Sequence, residues 1–334
     1  MKIIILAVVC LLTVAVASRA TVASNTVEIV YNGTTATVTV AANISDYITD
    51  KSDGSSHVKL IQSASVNDAI GEISYILSGT SDDGEFYLEG NYKTTIELNG
   101  LTLTNPSGPA INIQDGKRIK VKVNEGTTNT LTDGVNKNYN GCLHIKGHSE
   151  FRGKGTLNVT GNSKHGIYSK EYIQLKNTVI NISGAVKDAI HCKEYFLMES
   201  GTINITKAGD DGIQVELDDE ADKTGATSEH EDENSGNFYQ TGGILNFSGY
   251  NGKAVKADGI ITFKGGARNF STSETEDATG IEEMRNGENE IMRNEIYDLQ
   301  GRRVNSQFSI LNSQLHNGLY IFKNGNTTVK RFVK

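Results

Sequence analysis

Apolar and polar residues alternate along most of this chain, in short runs separated by Gly, Asn, Ser or Lys. Runs such as IQL and INI have the period of two that is typical of β-strands, and no window of ten or more residues carries a helical stripe. The pattern therefore predicts an all-β protein built from short strands.

The alternation repeats between Gly141 and Lys253 with a period of 23 residues. Equivalent apolar positions recur at this spacing in two columns: Leu157, Ile180 and Ile203, and Ile167, Ile190 and Ile213. The next equivalents, Leu245 and Val255, lie 42 residues further on, so one repeat carries 19 extra residues. A repeat of this length made only of strands and turns predicts a parallel β-helix, because each coil buries its apolar row only by stacking on its neighbours. A β-propeller blade needs about 40 or more residues, which fits the period poorly.

The first 20 residues have the features of a secretory signal peptide. Lys2 precedes the apolar run IIILAVVCLLTVAVA, small residues follow it, and the run is too short for a convincing membrane span. We therefore expect a secreted protein with no transmembrane segment in the mature chain. Cys10 is removed with this segment, which leaves Cys142 and Cys192, and whether these two form a disulfide stays open.

The same β texture extends from Thr26 to Asp133, which we interpret as the first coils and their cap. After Phe270 the polar stretch STSETEDATGIEEMRNGENE has the composition of a linker, and the alternating segments EIYDLQGRRV and GLYIFKNGNTTVKRFVK predict a small β module. The predicted domains are a signal peptide (1–20), the β-helix (21–272), a linker (273–294) and a C-terminal module (295–334).

The composition is that of an extracellular β protein, with 35 Gly, 2 Pro, no Trp and a formal net charge of -8. A negative chain of this kind argues against nucleic acid or an anionic membrane as a partner.

Asp188 and Asp211 occupy the same repeat position, and Asp210 precedes the second of them. Because stacked coils lie about 4.8 Å apart, these three carboxylates must meet at one edge. Like charges this close repel each other unless a cation or a proton intervenes, and carboxylate oxygens are the ligands that calcium prefers. The spacing thus predicts a calcium site. The alternative is a solvated corner at which each Asp caps its own turn.

The 19 extra residues belong to the acidic stretch ELDDEADKTGATSEHEDE (216–233), which carries nine carboxylates against Lys223 alone. It leaves the coil shortly after Asp211, so it could complete the calcium site. A solvated acidic loop explains the composition equally well.

Two outward columns are candidates for sugar contact. Asn158, Asn181, Asn204 and Asn246 share one repeat position, and their amides are expected either to hydrogen bond along the axis as a ladder or, at Asn181 and Asn204, to contact sugar. Tyr172 and Tyr195 lie 23 residues apart at the turn into the second strand of each coil. Their rings could stack on sugar, since the chain has no Trp, or simply pack at the corner.

The segments GNYKTTIELNGLTLTNPSGPAINI, GCLHIKG, HGIYSKEYIQL, DAIHCKEYF and DDGIQV resemble the bacterial carbohydrate-binding-domain family of right-handed parallel β-helices. That family is similar in architecture to the calcium-dependent pectate lyases. The resemblance covers roughly Thr26 to Ser271. It implies bound calcium and a plant cell-wall polysaccharide, cellulose or polygalacturonate, as the partner.

The end of the chain has a separate resemblance. IYDLQGRRV followed by GLYIFKNGNTTVKRFVK is similar to the C-terminal sorting domain of type IX secretion substrates. It implies recognition by the secretion machinery and display or release at the bacterial cell surface.

The enzyme question rests on the carboxylate edge. A calcium-dependent lyase needs a base beside the metal, and Lys187 is the candidate there, with Lys164 one coil earlier. Lysine next to aspartate is equally expected of a charge-balanced corner, and resemblance of fold is not a sign of catalysis. We therefore expect a secreted, non-catalytic, calcium-binding β-helix. The alternatives are a pectate lyase with Lys187 as base and a structural surface adhesin.

Overall fold

The computed structural model describes residues 22–218, 230 and 232–271, and, after Ser271, the backbone of six short strands. The described residues form an all-β parallel solenoid of about eight turns, with a single short 3-10 helix, Ala42–Tyr47. The predicted fold class is confirmed. The predicted signal peptide lies outside the described residues.

Each coil contributes one strand to each of three rows. The first row is a parallel sheet formed by β4 (His57–Gln62), β6 (Glu85–Glu89), β8 (Ile111–Gln114), β11 (Gly141–Ile145), β14 (His165–Ser169), β17 (Ile190–Lys193), β20 (Ile213–Glu216), β23 (Val255–Ala257) and β26 (Thr275–Glu276). At its start it is extended by the antiparallel strand β3 (Ile48–Asp50).

The second and third rows belong to one 16-stranded sheet. The second row consists of β9 (Ile119–Val123), β12 (Ser149–Arg152), β15 (Ile173–Leu175), β18 (Tyr195–Met198), β21 (Asn237–Gln240) and β24 (Ile261–Phe263). The third row consists of β10 (Thr128–Asp133), β13 (Thr156–Thr160), β16 (Val179–Gly184), β19 (Thr202–Ile205), β22 (Ile244–Phe247) and β25 (Ala267–Phe270). The long strand β7 (Thr94–Asn105) pairs with both β9 and β10 and so joins the two rows.

The start of the solenoid is capped, as expected. β1 (Thr26–Asn32) forms an antiparallel hairpin with β2 (Thr35–Val40) and pairs in parallel with β5 (Ile73–Ser81), which lies on β7. The 3-10 helix buries Ile44 against this end. The apolar end of the first coils is thereby covered.

The two apolar columns stack as the 23-residue period predicts. Leu157, Ile180, Ile203 and Leu245 are direct partners in successive third-row strands, and Ile167, Ile190, Ile213 and Val255 are direct partners in the first row. All eight side chains are buried in one continuous core. The stacking follows from parallel pairing in register, which places every second side chain inside each coil.

The asparagine column forms a hydrogen-bonded ladder. Each side-chain Nδ2 donates to the Oδ1 one coil below: Asn181 to Asn158 at 2.8 Å, Asn204 to Asn181 at 2.7 Å, Asn246 to Asn204 at 2.8 Å and Asn269 to Asn246 at 2.7 Å. The ladder interpretation is confirmed, and it extends one coil beyond the predicted four positions. Sugar contact at Asn181 and Asn204 stays a prediction.

Replacing Asn181 with Asp should break one rung of this ladder. A carboxylate still accepts from Asn204 but cannot donate to Asn158, so we expect the free energy of unfolding to fall by about 1–2 kcal/mol, measured by chemical denaturation at neutral pH. Asn177→Asp is the matched control, because Asn177 is exposed and its Oδ1 only accepts from the Ser200 hydroxyl. Equal stability of Asn181→Asp and the unmodified chain would contradict a structural role for the ladder.

Beyond Ser271 the backbone continues into a separate five-stranded sheet. It contains β27 (Ile281–Glu283), β28 (Glu295–Tyr297), β29 (Arg303–Val304), β30 (Gly318–Asn324) and β31 (Thr327–Val333). The predicted linker, 273–294, thus contains two strands, since β26 still pairs with β23 and β27 pairs with β31. A few polar residues suffice for such pairing, because an open sheet edge offers unpaired backbone groups to any extended segment.

Within the described residues, Cys142 and Cys192 are buried free thiols, in different coils. No helix among the described residues is long and apolar enough to cross a membrane.

Candidate functional site

The three predicted carboxylates meet at the turns that lead from the third row into the first. Asp188 precedes β17, and Asp210 and Asp211 precede β20 one coil later. Oxygens of the three carboxylates lie within 4.8 Å of one another. Asp188 and Asp211 are each 2% exposed, whereas Asp210 faces solvent. We call this group the carboxylate edge.

Asp188 is held by two histidines and one backbone amide. Its Oδ1 accepts from the Asp211 N–H at 3.0 Å, and its Oδ2 lies 3.0 Å from His191 Nδ1 and 3.2 Å from His165 Nδ1. Burial alone would raise the pKa of Asp188, but the two neighbouring imidazoles hold that pKa well below its usual range. Asp188 is therefore ionised at neutral pH.

The Asp211 carboxylate has fewer hydrogen-bond partners than the Asp188 carboxylate. Its Oδ1 accepts from the Lys253 N–H at 2.6 Å, but its Oδ2 is buried with no hydrogen-bond partner in the described part of the chain, and the nearest cation, Lys256 Nζ, is 4.0 Å away. Burial, together with the charges of Asp188 and Asp210, raises the pKa of Asp211. A buried oxygen in this state is stabilised by a cation or a proton.

The residues of the carboxylate edge fit a calcium ion. Oxygen donors at this density are the ligand set of calcium, with backbone oxygens or water completing the six to eight ligands it takes. The neighbouring Gly252 keeps space open there, since a Cβ at this position would lie 2.2 Å from Asp211 Oδ1 and 2.7 Å from Asp210 Oδ1. Any larger residue would fill that space.

The two histidines are residues that sequence reasoning missed. His165 occupies the position of Asp188 one coil earlier, and His191 follows Asp188 by three residues, so repeat arithmetic already placed both near the edge. Burial lowers the pKa of His165, whereas the carboxylates of Asp188 and Glu216, which accept from the His191 ring, raise the pKa of His191 despite its burial. Together with Asp188 they form a second compact set of ligand atoms within 4.8 Å. Their contacts orient the Asp188 carboxylate, as partners behind a metal ligand do.

The two candidate bases differ in their surroundings. Lys187 is exposed beside the carboxylate edge, whereas Lys164 donates from Nζ to Asn140 Oδ1 at 2.8 Å. Lys187 is therefore the better placed of the two to reach a bound sugar.

Two described carboxylates of the acidic insertion, Asp218 and Glu233, lie away from the carboxylate edge. Asp218 follows β20 and Glu233 precedes β21, so a whole strand of roughly 13 Å separates Asp218 from Asp211. Glu216, the first residue of the stretch, ends β20, and its Oε2 lies 3.4 Å from His191 Nε2. Asp218 Oδ1 is 3.3 Å from Lys193 Nζ, and the buried Glu233 accepts from the Tyr239 hydroxyl at 2.7 Å. Asp218 and Glu233 thus lie away from the carboxylate edge, and whether the rest of the insertion completes the calcium site stays a prediction.

The structure brings Tyr172 and Tyr195 together but buries them. Their ring centroids are 4.7 Å apart, and the ring of His148 stacks on the other face of Tyr172 at 4.2 Å. Tyr172 is 4% exposed and Tyr195 is 0% exposed. Stacking along the solenoid axis turns the ring faces toward each other, so the two rings pack at the corner, the alternative to sugar stacking. Sugar stacking on these rings stays a prediction, and it would require the column to open.

The parallel solenoid, with its carboxylate edge, defines this chain as a β-helix protein. The chain belongs to the carbohydrate-binding domain-containing protein family, which matches residues 62–307. A carbohydrate-binding domain-containing protein of Acetivibrio thermocellus is 26% identical over 103 residues, which are 28% of this chain and 36% of that relative. This chain thus spans about a third of the length of the curated relative it matches.

A solved structure shows the same fold. The polysaccharide lyase-like protein from C. thermocellum, solved as a gadolinium derivative, matches with a TM-score of 0.52 and 19% identity. The match covers 75% of this chain and 99% of that chain. At this identity the similarity shows the fold alone.

Proposed function

We propose that this protein binds plant cell-wall polysaccharide, cellulose or pectin, without cleaving it, and that a calcium ion held by Asp188, Asp210 and Asp211 is part of the folded protein. The family supports a polysaccharide as the partner. The observation that carries the calcium site is the buried Asp211 Oδ2, which has no hydrogen-bond partner among the described residues and faces two further carboxylates. Signal-peptide features and the C-terminal resemblance support secretion and display at the bacterial cell surface through the type IX machinery.

The geometry of the edge favours binding over cleavage. Besides Lys187, the groups at the carboxylate edge that transfer protons readily are His165 and His191. Both are buried and directed at Asp188. A group that serves as general acid or base must reach the proton it moves, within about 3 Å or through one water. Neither imidazole is open to a chain on the surface.

A lyase is the second candidate, and the exposed Lys187 favours it. In such a reaction a neutral lysine takes the proton from the carbon next to the uronate carboxylate, and the C–O bond to the glycosidic oxygen on the following carbon breaks as a carbon–carbon double bond forms. The departing oxygen takes a proton from water and becomes a hydroxyl of the released sugar chain. Bound calcium would neutralise the carboxylate and so acidify that proton. A structural surface adhesin is the third candidate, with the solenoid as a spacer.

Two assays on the purified protein separate these functions. Retention is measured on insoluble cellulose and by retardation in gels that contain polygalacturonate. Cleavage is measured as the ultraviolet absorbance of the unsaturated uronate that a lyase leaves, with calcium present over a broad alkaline range. We expect retention on at least one polysaccharide and no new absorbance.

The other outcomes of these assays would identify the protein as a lyase or as an adhesin. Absorbance that disappears in Lys187→Ala but persists in Lys207→Ala, an exposed lysine used as control, would establish the lyase and overturn the binder. Absence of both retention and absorbance would overturn both and leave the adhesin.

A further inference from the structure

A groove of about 640 Å³ lies at the opposite end of the first-row strands from the carboxylate edge, where the chain turns into the second row. Its lining includes Lys93, Lys117, Arg118, His148, Tyr172 and Gln174. We call it the corner groove. The described part of the acidic insertion reaches its rim at Asp232.

The corner groove runs along the solenoid axis. Lys93, Arg118, His148 and Tyr172 each stand directly before the first residue of a second-row segment, and those first residues, Thr94, Ile119, Ser149 and Ile173, are direct partners in register. The four side chains therefore come from four successive coils. At about 4.8 Å per coil the groove is roughly 14 Å long, which suits a short stretch of a linear polymer.

Four basic side chains line the groove, and three of them are paired with carboxylates: Lys93 Nζ lies 3.5 Å from Asp68, Arg118 contacts Glu72, and His148 Nε2 lies 2.8 Å from Glu171. Arg118 Nη2 is 2.5 Å from Glu72 Oε2, and Arg118 Nη1 lies 3.8 Å from Glu150. These two carboxylates hold the guanidinium group in place. Lys117 is exposed, and no carboxylate of the described residues lies within ion-pair distance of its ammonium. An anchored guanidinium beside an available ammonium is an arrangement that recognises carboxylates.

The same groove offers partners for hydroxyl groups. The Glu150 carboxylate lines it, and Gln174 is fixed between Tyr195, to which its Nε2 donates at 2.7 Å, and Arg152, from which its Oε1 accepts at 3.0 Å. Carboxylate and amide oxygens accept from hydroxyls. The groove thus suits a ligand that carries both carboxylates and hydroxyls.

We propose that the corner groove binds a carboxylated polysaccharide, a uronate chain, with Lys117 and Arg118 on its carboxylates and Glu150 and Gln174 on its hydroxyls. This inference rests on the proposed function and gives it a place and a substrate class. Because the length of the first-row strands separates the groove from the carboxylate edge, binding there does not use the calcium ion as a ligand to the sugar.

The test is calorimetric titration of the purified full chain with three probes: a galacturonate trisaccharide, its fully methyl-esterified form, and a neutral cellulose trisaccharide. The groove variants are Lys117→Gln and the double variant Lys117→Gln/Arg118→Gln. The control is Lys154→Gln/Lys264→Gln, which makes the same change of charge at two exposed positions outside the groove. Lys117→Gln keeps the test valid if loss of Arg118 disturbs folding.

We expect the unmodified chain and the control to bind the acidic trisaccharide more tightly than the esterified and neutral ones. The double variant should lose about tenfold or more in affinity for the acidic probe only, the effect of losing a charge-assisted hydrogen bond. Equal affinity of the groove variants and the control for the acidic probe would overturn the groove and leave the proposed function intact. Binding of the neutral probe alone would overturn the acidic substrate class but leave the proposal of polysaccharide binding intact. No retention on any polysaccharide, in this assay or the earlier ones, would overturn both.

Discussion

Replacing Ile190 with Asp is expected to unfold the central coils. Ile190 is 1% exposed and lies between Ile167 and Ile213 in the first-row column. Removing a buried aliphatic side chain costs about 2–5 kcal/mol, and an uncompensated buried charge adds about 3–5 kcal/mol. The sum is comparable to the whole stability of a typical domain. Circular dichroism during heating should show the cooperative transition lost or lowered far below that of the unmodified chain.

The matched control for this experiment is Ile260→Asp. Ile260 is 52% exposed, so its aspartate stays hydrated and the transition should hardly move. A transition of Ile190→Asp that coincided with that of the control would mean that Ile190 does not face the core.

Calcium is expected to raise the melting temperature, and a chelator should reverse the rise. A ligand that binds only the folded state stabilises it by about 2.7 kcal/mol at a hundred times its dissociation constant, which for a domain of this size corresponds to several degrees. Asp211→Asn should abolish the shift, since it removes the charge that the ion neutralises. In the absence of calcium the same variant should be at least as stable as the unmodified chain, because the amide still accepts from the Lys253 N–H and the repulsion with Asp188 is gone.

The opposite effects of Asp211→Asn with and without calcium distinguish a metal site from a structural carboxylate. Asp46→Asn, at an exposed position of the 3-10 helix, should leave the calcium shift unchanged. A melting transition indifferent to both calcium and chelator would refute the site, and so would a full calcium shift in Asp211→Asn.

Both experiments bear on the same structural feature. Ile190 and Ile213 fix the stacking of two coils, and that stacking is what brings Asp188 within reach of Asp211. The proposed metal site would therefore form only in the folded solenoid, which is why its occupancy should be visible as thermal stability.

The sequence by itself determined the solenoid, its apolar columns, the asparagine ladder and the meeting of Asp188 with Asp211. The physical reason is that alternation decides which side chains point inward, and a constant spacing of 23 residues brings equivalent positions one above another. Where both conditions hold, residues that are 23 positions apart in the sequence are neighbours in successive coils.

Only the tertiary structure decided what surrounds those positions. The imidazoles of His165, one coil earlier, and of His191, in the same coil, approach Asp188. Tyr172 and Tyr195 cover each other's faces, and the acidic insertion begins at the far end of β20. The corner groove could not be predicted from the 23-residue period either, because successive members of the set Lys93, Arg118 and His148 are 25 and 30 residues apart. Backbone hydrogen bonds set the register of each strand independently of the length of the turn before it, so residues at unequal spacings still align in one column.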